Sequence, residues 1–452
     1  MYIKPLSEKY RVAAPRYTSY PTVPYWDEQS FDQQKWLEAL VSSFENEQGE
    51  LSLYVHLPFC ESLCTYCGCN TRITKNHGVE KPYIEAVLKE WEQYVAMMGR
   101  KPVIRDIHLG GGTPTFFSPE NLALLINGLT SIADVHLDAE FSIEGHPNNT
   151  TEKHLLTLYG LGFRRISLGI QDFDVKVQQI INRMQSYESV KTVTDQARAL
   201  GYLSVNYDLI YGLPLQTLEG LGNTIDKVLR LRPDRIAFYS YAHVPWIKPG
   251  QRRYTEAHLP SSELKNKLYE LGRERFIAAG YVEIGMDHFT LKTDSLYKAE
   301  LNRTLHRNFM GYTEHAGNVL IGLGVSAISD CWTAFSQNVK TVESYLKLVN
   351  ESKFPVFRGH ILSETDLAIR RHILNIMCRA YTSWDLAEGQ QPEMKDTMER
   401  LKTLTDDGLV ELGEYELKVT PLGKRFLRNI CMAFDARLWA RQPETQKFSV
   451  TD

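Results

Sequence analysis

A chain of 452 residues exceeds what one hydrophobic core normally fills, although an α/β barrel can use roughly 200–250 residues as one domain, so a large domain and a smaller one are expected. Its 43% hydrophobic and 23% charged residues are those of an ordinary soluble globular protein and exclude a fibrous or disordered chain. A net charge of −4 with acids and bases interspersed excludes a global basic field for nucleic acid or anionic lipid, so an anionic substrate needs a local basic pocket.

The N-terminal run MYIKPLSEKYRVAAPRYTSYP lacks an apolar targeting core and a small-residue cleavage site, and no stretch reaches the roughly 18 apolar residues of a membrane helix. A cytoplasmic protein with no membrane partner is expected. From residue 51, short β-branched runs alternate with amphipathic helical segments, the pattern of βαβ units on a mostly parallel sheet. Strands are predicted at 51–57, 105–111, 139–145, 164–171, 203–212 and 235–241. Ile84, Val87, Leu88, Trp91, Val95 and Met98 form the apolar stripe of a helix after the first strand, and Ser118-Pro119 opens the next one. Six such units make an α/β fold, a partial (β/α)6-type TIM-like barrel whose active site lies at the C-terminal ends of the strands. Segments 281–289 and 319–329 would extend the sheet or line the mouth. After about residue 360 helices precede two short strands around Gly413-Glu414, predicting a small, mostly helical, winged-helix-like C-terminal domain, with a lid role as plausible as a nucleic-acid one. The expected units are an N-terminal arm and helix (1–50), the catalytic barrel (51–335), a linker (336–360) and the C-terminal domain (361–452).

Seven cysteines do not make a disulfide scaffold, and Cys60, Cys64, Cys67 and Cys69 fall within ten residues while Cys331, Cys378 and Cys431 are scattered, as small buried hydrophobes usually are. Thiols bunched in a reducing compartment read as metal ligands. Structural zinc wants four ligands, commonly in two separated pairs, and no second pair exists here. Iron–sulfur clusters usually take four cysteines, so three from this loop leave one iron open to a small molecule; Cys69 as the fourth ligand would instead close the cluster into an electron carrier.

The loop CESLCTYC, with Tyr66 before its last cysteine, resembles the CxxxCxxC signature of the radical S-adenosylmethionine (SAM) superfamily. There the cofactor's amino and carboxylate groups chelate the open iron, and one-electron reduction splits the sulfonium to give methionine and a 5′-deoxyadenosyl radical. Further runs resemble the oxygen-independent coproporphyrinogen III oxidase family over about residues 10–440: PRYTSYPT at 15–22, GGGTPT at 110–115, GIQDF at 169–173, DLIYGLP at 208–214, GMDHF at 285–289, HRNFMGYT at 306–313 and RNICMAFD at 428–435.

The resemblance implies a 4Fe-4S cluster on Cys60, Cys64 and Cys67, with Cys69 part of the family pattern but no ligand, and two SAM molecules. Tyr54, Gly111, Glu144 and Ile328 would contact the first SAM; Tyr66, Gly112, Thr113, Gln171, Arg183, Asp208 and Ala242 would contact the second. Most of these stand at ends of predicted strands, although taken singly each acid reads as a salt bridge or cap and the glycine run as a turn. The implied reaction is oxidative decarboxylation of two propionates of coproporphyrinogen III to the vinyls of protoporphyrinogen IX in haem biosynthesis, by a monomer with an unidentified electron donor and acceptor. Arg16, His306 and Arg307 are the candidate cations for this tetra-anion, with Phe309 beside them. The chain departs from the family pattern at His146 (IEGHP for IEVDP) and Met310 (HRNFMGYT for HRNFQGYT). The alternatives are a haem-binding chaperone on the same barrel, or a radical SAM enzyme acting on another tetrapyrrole.

Overall fold

Six parallel strands follow one another across the sheet in sequence order: β1 (Glu50–Leu57), β2 (Val103–Gly111), β3 (Asp134–Gly145), β4 (Phe163–Gln171), β5 (Ser204–Tyr211) and β6 (Arg235–Ser240). The computed structural model describes residues 3–26, 28–441 and 448–451; positions 442–447 and 452 of the expected C-terminal domain lie outside them. Helices Glu80–Met98, Pro119–Ser131, Glu152–Gly160, Tyr187–Leu200 and Leu218–Leu231 connect the strands as crossovers. The helix at Pro119 starts as predicted, with Ser118 Oγ accepting from the Asn121 amide at 3.2 Å.

Strand alternation decides what each face does. Leu53, Val55 and Leu57 on β1, Ile107 and Leu109 on β2, and Ile166 and Leu168 on β4 are at most 1% exposed in the core beneath the helices. Their neighbours point inward and are polar: Ser52, Tyr54 and His56; Asp106 and His108; Arg165 and Ser167; Asn206 and Asp208. Register keeps these polar rows side by side, with Tyr54 beside His108, His108 beside Ser142, and Ser167 beside Asn206. The interior is thus hydrophilic, whereas a closed barrel usually fills itself with branched apolar side chains.

The sheet does not close. Beyond β6 lie β7 (Val282–Ile284) and β8 (His288–Thr290), with β8 antiparallel to both; beyond β1 lie β9 (Leu320–Leu323), parallel to it, then antiparallel β10 (Ile328–Asp330), β11 (Ala334–Asn338) and β12 (Val356–Ile361). Both glycine-bearing segments therefore extend the sheet, one at each edge. The expected linker 336–360 is corrected: it holds the end of β11, a helix at Val342–Asn350 and most of β12, paired from Ala334↔Ile361 to Asn338↔Val356. Its strands escape notice because Gly359 sits among polar residues, where a Cβ would lie 2.2 Å from the Phe335 carbonyl.

The N-terminal segment divides between the two units. Helix Gln33–Asn46, capped by Asp32, buries Trp36, Leu40 and Phe44 on the barrel. Leu6, Tyr17 and Tyr20 instead join the C-terminal core, where Tyr17 Oη donates to Asp435 at 3.1 Å. That unit runs helix (Glu364–Arg379), strand (Tyr381–Ser383), two helices and a hairpin (Val410–Leu412, Glu416–Val419), with the first strand beside the last, a winged-helix order. Among the described residues no helix is long and apolar enough to cross a membrane.

Candidate active site

After β1 the chain turns through Pro58 into a two-residue strand, Phe59–Cys60, paired in parallel with Arg72–Ile73, which pins the cysteine loop at both ends. Between them Thr65 donates its amide to the Ile181 carbonyl (2.9 Å) and its hydroxyl to the Ile180 carbonyl (3.0 Å). Asn182 Nδ2, Gln251 Nε2 and Lys248 Nζ donate to the carbonyls of Leu63 (2.8 Å), Tyr66 (3.2 Å) and Cys69 (3.1 Å). Backbone anchoring of this kind fixes where the thiols point before any metal arrives.

The glycine run performs the same task. The Gly112 and Thr113 amides donate to the Leu57 (2.8 Å) and Phe59 (3.1 Å) carbonyls, extending the β1–β2 ladder into the loop. A Cβ on Gly112 would lie 2.5 Å from the Pro58 carbonyl oxygen, and one on Gly111 would lie 2.8 Å from the His56 ring. Glycine is required here first by the protein's own loop.

Cys60, Cys64, Cys67 and Cys69 line a cavity of about 550 Å³ at the C-terminal ends of the strands. The Cys69 thiol and amide (3.4 Å) both donate to the Cys67 sulfur and, with Lys248 and Arg183, hold Cys67 down to about 6 despite burial. Burial pushes Cys60 up to about 11, against the Thr113 hydroxyl 3.3 Å away. Metal ligation would displace that proton.

Two carboxylates face the thiols. Glu144, at the end of β3, is half-buried, and although burial alone would raise it, the His108 ring (3.5 Å) and the Gly111 amide (3.2 Å) hold it below the ordinary glutamate value. Asp208 on β5 is pushed up to about 6 by burial and by Glu144, against bonds from Ser167 (3.0 Å) and Asn206 (2.8 Å). Arg183 donates to the Gly169 carbonyl (2.6 Å) and the Cys64 sulfur (3.6 Å). Its Nε and the Oε1 of Gln171, which sits at φ 64°, have no hydrogen-bond partner among the described residues. Buried polar atoms left open in this way are a place prepared for a ligand's own polar groups. Three convergent thiols, two acids, a guanidinium and an amide suit an iron–sulfur cluster and a zwitterionic sulfonium nucleoside.

The cavity gathers Cys60, Cys64, Cys67, Tyr66, Gly111, Gly112, Thr113, Glu144, Gln171, Arg183 and Asp208. Tyr54 lies just beneath it, stacked on His108 with centroids 6.0 Å apart, its hydroxyl 3.1 Å from His56 Nδ1. The Ala242 carbonyl accepts from the same Gln251 amide that holds Tyr66. Ile328, on β10, packs with Phe309 around Trp26 and Phe335; Phe309 meets both rings edge-on.

Arg16 reaches from the N-terminal arm to the Ser240 carbonyl at the end of β6 (2.7 Å). Arg307 is 4% exposed, over the Tyr312 ring at 4.5 Å and 3.9 Å from Asp287, with Nε and Nη1 unpartnered among the described residues. His306 is corrected as a cation: burial, then Arg370, push its ring down to about 4, so it is neutral near pH 7.

Sequence reasoning gave no role to Lys248, Tyr239 or the Asp287–His288 pair, whose Oδ1 and Nδ1 lie 2.6 Å apart. The last two stand in the quoted GMDHF run, but Lys248 lies in an aperiodic loop that offers no signal. His146 lines the cavity, neutral because burial and Arg183 push it down to about 3. Met310 lines a second, polar cavity of about 240 Å³ below, with Glu144, Asp208, Tyr239 and His288.

The radical SAM superfamily model matches residues 54–228. The oxygen-independent coproporphyrinogen III oxidase of Pseudomonas aeruginosa is 38% identical over 96% of this chain and 95% of its own length. The Escherichia coli K12 protein of that name is 37% identical over 98% and 97%. The solved structure of coproporphyrinogen III oxidase (HemN) from Escherichia coli, described as a radical SAM enzyme, superposes with TM-score 0.89 at 36% identity, covering 94% of this chain and 98% of that one.

Proposed function

The chain belongs to the oxygen-independent coproporphyrinogen III oxidase family of radical SAM enzymes, and from that premise we propose which of its residues hold cofactor and substrate. It is an oxidoreductase that decarboxylates two propionates of coproporphyrinogen III to the vinyls of protoporphyrinogen IX in haem biosynthesis. Each propionate gives up a hydrogen atom, carbon dioxide and one electron. A 4Fe-4S cluster and SAM serve the reaction; when bound they supply the one-electron cleavage that begins hydrogen abstraction.

Cys60, Cys64 and Cys67 hold the cluster, and Cys69 stays off the iron because its thiol and amide are committed to Cys67. The observation that carries this reading is the convergence of those thiols with Glu144, Asp208, Gln171 and Arg183 on one cavity. Glu144, ionised near neutral pH, accepts from a ligand's ammonium or hydroxyl groups, with the Gly111 backbone, Tyr54 and Ile328 completing the first SAM site. A second SAM lies against Tyr66, Gly112, Thr113 and Ala242, with Asp208 and Gln171 as acceptors and the open Arg183 Nε as donor to a carboxylate. Arg16 and Arg307 draw substrate carboxylates toward β6, Phe309 supports that side, and neutral His306 offers a hydrogen bond but no charge. The protein works as a cytoplasmic monomer with a separate electron donor and acceptor.

Anaerobic protein given SAM, dithionite and coproporphyrinogen III should release carbon dioxide and a divinyl product, and SAM should change the electron paramagnetic resonance spectrum of the reduced cluster. An unchanged spectrum, or haem binding without turnover, would sink the assignment. Equilibrium dialysis should find two SAM per chain, and one in Arg183→Met.

A further inference from the structure

We propose that the outer face of the cysteine loop and the neighbouring loop 242–258 form the docking surface for an acidic, one-electron carrier protein that reduces the cluster. This rests on the cluster assignment above, which requires one electron delivered from outside for each SAM cleaved.

The two loops are one surface. Gln251 and Lys248 bind the carbonyls of Tyr66 and Cys69, and a Cβ on Gly250 would lie 3.4 Å from the Leu63 side chain. On these joined loops Leu63, which also lines the edge of the cavity, Trp246 and Ile247 are 42%, 49% and 51% exposed. Scattered exposed apolar residues are ordinary; three on two loops bonded to one another beside one set of metal ligands are the apolar centre of the proposed surface.

Charge supplies the partner's sign. Segments 61–76 and 242–258 carry five bases (Arg72, Lys75, Lys248, Arg252, Arg253) against two acids (Glu61, Glu256), on a chain whose net charge is −4. Arg72 is paired with Glu343, while Arg252 and Arg253 are exposed. An apolar centre in a basic rim suits an acidic protein, with charge raising the encounter rate and the apolar centre fixing the docked pose. Redox encounters need less than about 1,200 Å² of buried surface, which two loops can provide. One electron passes from the carrier to the cluster, and no bond forms or breaks. An anionic membrane could meet the same charges, but would leave unexplained why the patch surrounds the cysteine loop.

The test uses anaerobically reconstituted full-length protein and photoreduced bacterial flavodoxin, an acidic flavoprotein, as probe, with dithionite as the small-molecule reductant. The double variant Arg252→Glu/Arg253→Glu, and separately Ile247→Asp, should retain dithionite-driven turnover and lose at least tenfold in flavodoxin-driven cluster reduction. Wild-type reduction by flavodoxin should slow at least tenfold between 20 and 300 mM salt as charges are screened. Flavodoxin rates unchanged in both variants, no salt dependence in the wild type, or sedimentation with phosphatidylserine vesicles at 150 mM salt would each overturn the proposal. Cluster reduction is read from its own spectrum, so a failure of coproporphyrinogen turnover with dithionite would count against the substrate assignment alone.

Discussion

At the N-terminal end of the barrel interior, Arg165 is held by Glu140 (2.7 Å) and Glu314 (2.5 Å), and Arg235 by Asp294 (2.6 Å) and Glu314. Ser295 and Ser204 complete that network through Glu314 (2.6 Å) and Asp294 (2.8 Å). At the C-terminal end, Arg183 keeps an open Nε, Gln171 an open Oε1, and Asp208 sits near Glu144 with no cation bonded to it among the described residues. Both ends draw on the same strands, Glu140 and Glu144 on β3, Arg165 and Gln171 on β4, Ser204 and Asp208 on β5, completed by residues from the connecting segments. One closes the barrel floor with paired charge; the other stores unmade bonds, whose cost a ligand repays on binding.

The sharpest break in this comparison is Cys64→Ser, which should leave unfolding unchanged but abolish turnover and iron-bound SAM, measured by iron content and carbon dioxide release. Next is Glu314→Gln on the floor, where removing one partner from a buried network should cost about 3–5 kcal/mol. Urea unfolding should show that loss, while correctly folded protein keeps its SAM affinity.

A smaller effect concerns Asp208. With its carboxyl near 6, SAM affinity should rise about tenfold between pH 5 and pH 7 as the acid ionises toward the cationic ligand, and Asp208→Asn should flatten the curve in calorimetric titrations. The sign for stability is opposite. A raised folded pKa favours the apo fold below the ordinary aspartate range, and that contribution is lost as pH rises through about 6. The smallest change expected is Arg16→Met, a several-fold rise in KM for the substrate with kcat nearly intact, because Arg16 is half-buried and bonded to a carbonyl.

The cysteine spacing, the six strands and the Ser118 cap were legible because each is a local pattern, complete within about ten residues. The linker misreading at 336–360 has the opposite cause: short edge strands take their stability from partners distant in sequence, Ala334 from Ile361 for example. His306 shows the same limit in electrostatics, since nothing near it in the chain announces Arg370. Tyr17 and Tyr20 carry no sign that they pack with Ile369 and the residues beyond it, at the other end of the chain. The resemblance offers the glycines at 111 and 112 as ligand contacts, whereas in the fold the first contacts of an added Cβ are His56 and Pro58.

By itself the sequence determined the bunching of the cysteines and the order of the elements: which residue types could bind iron and which strand each follows. These depend on spacing and periodicity, and those survive unfolding. Only the tertiary structure decided which polar groups are paired and which are open, because pairing and protonation depend on burial and on neighbours brought together from distant parts of the chain.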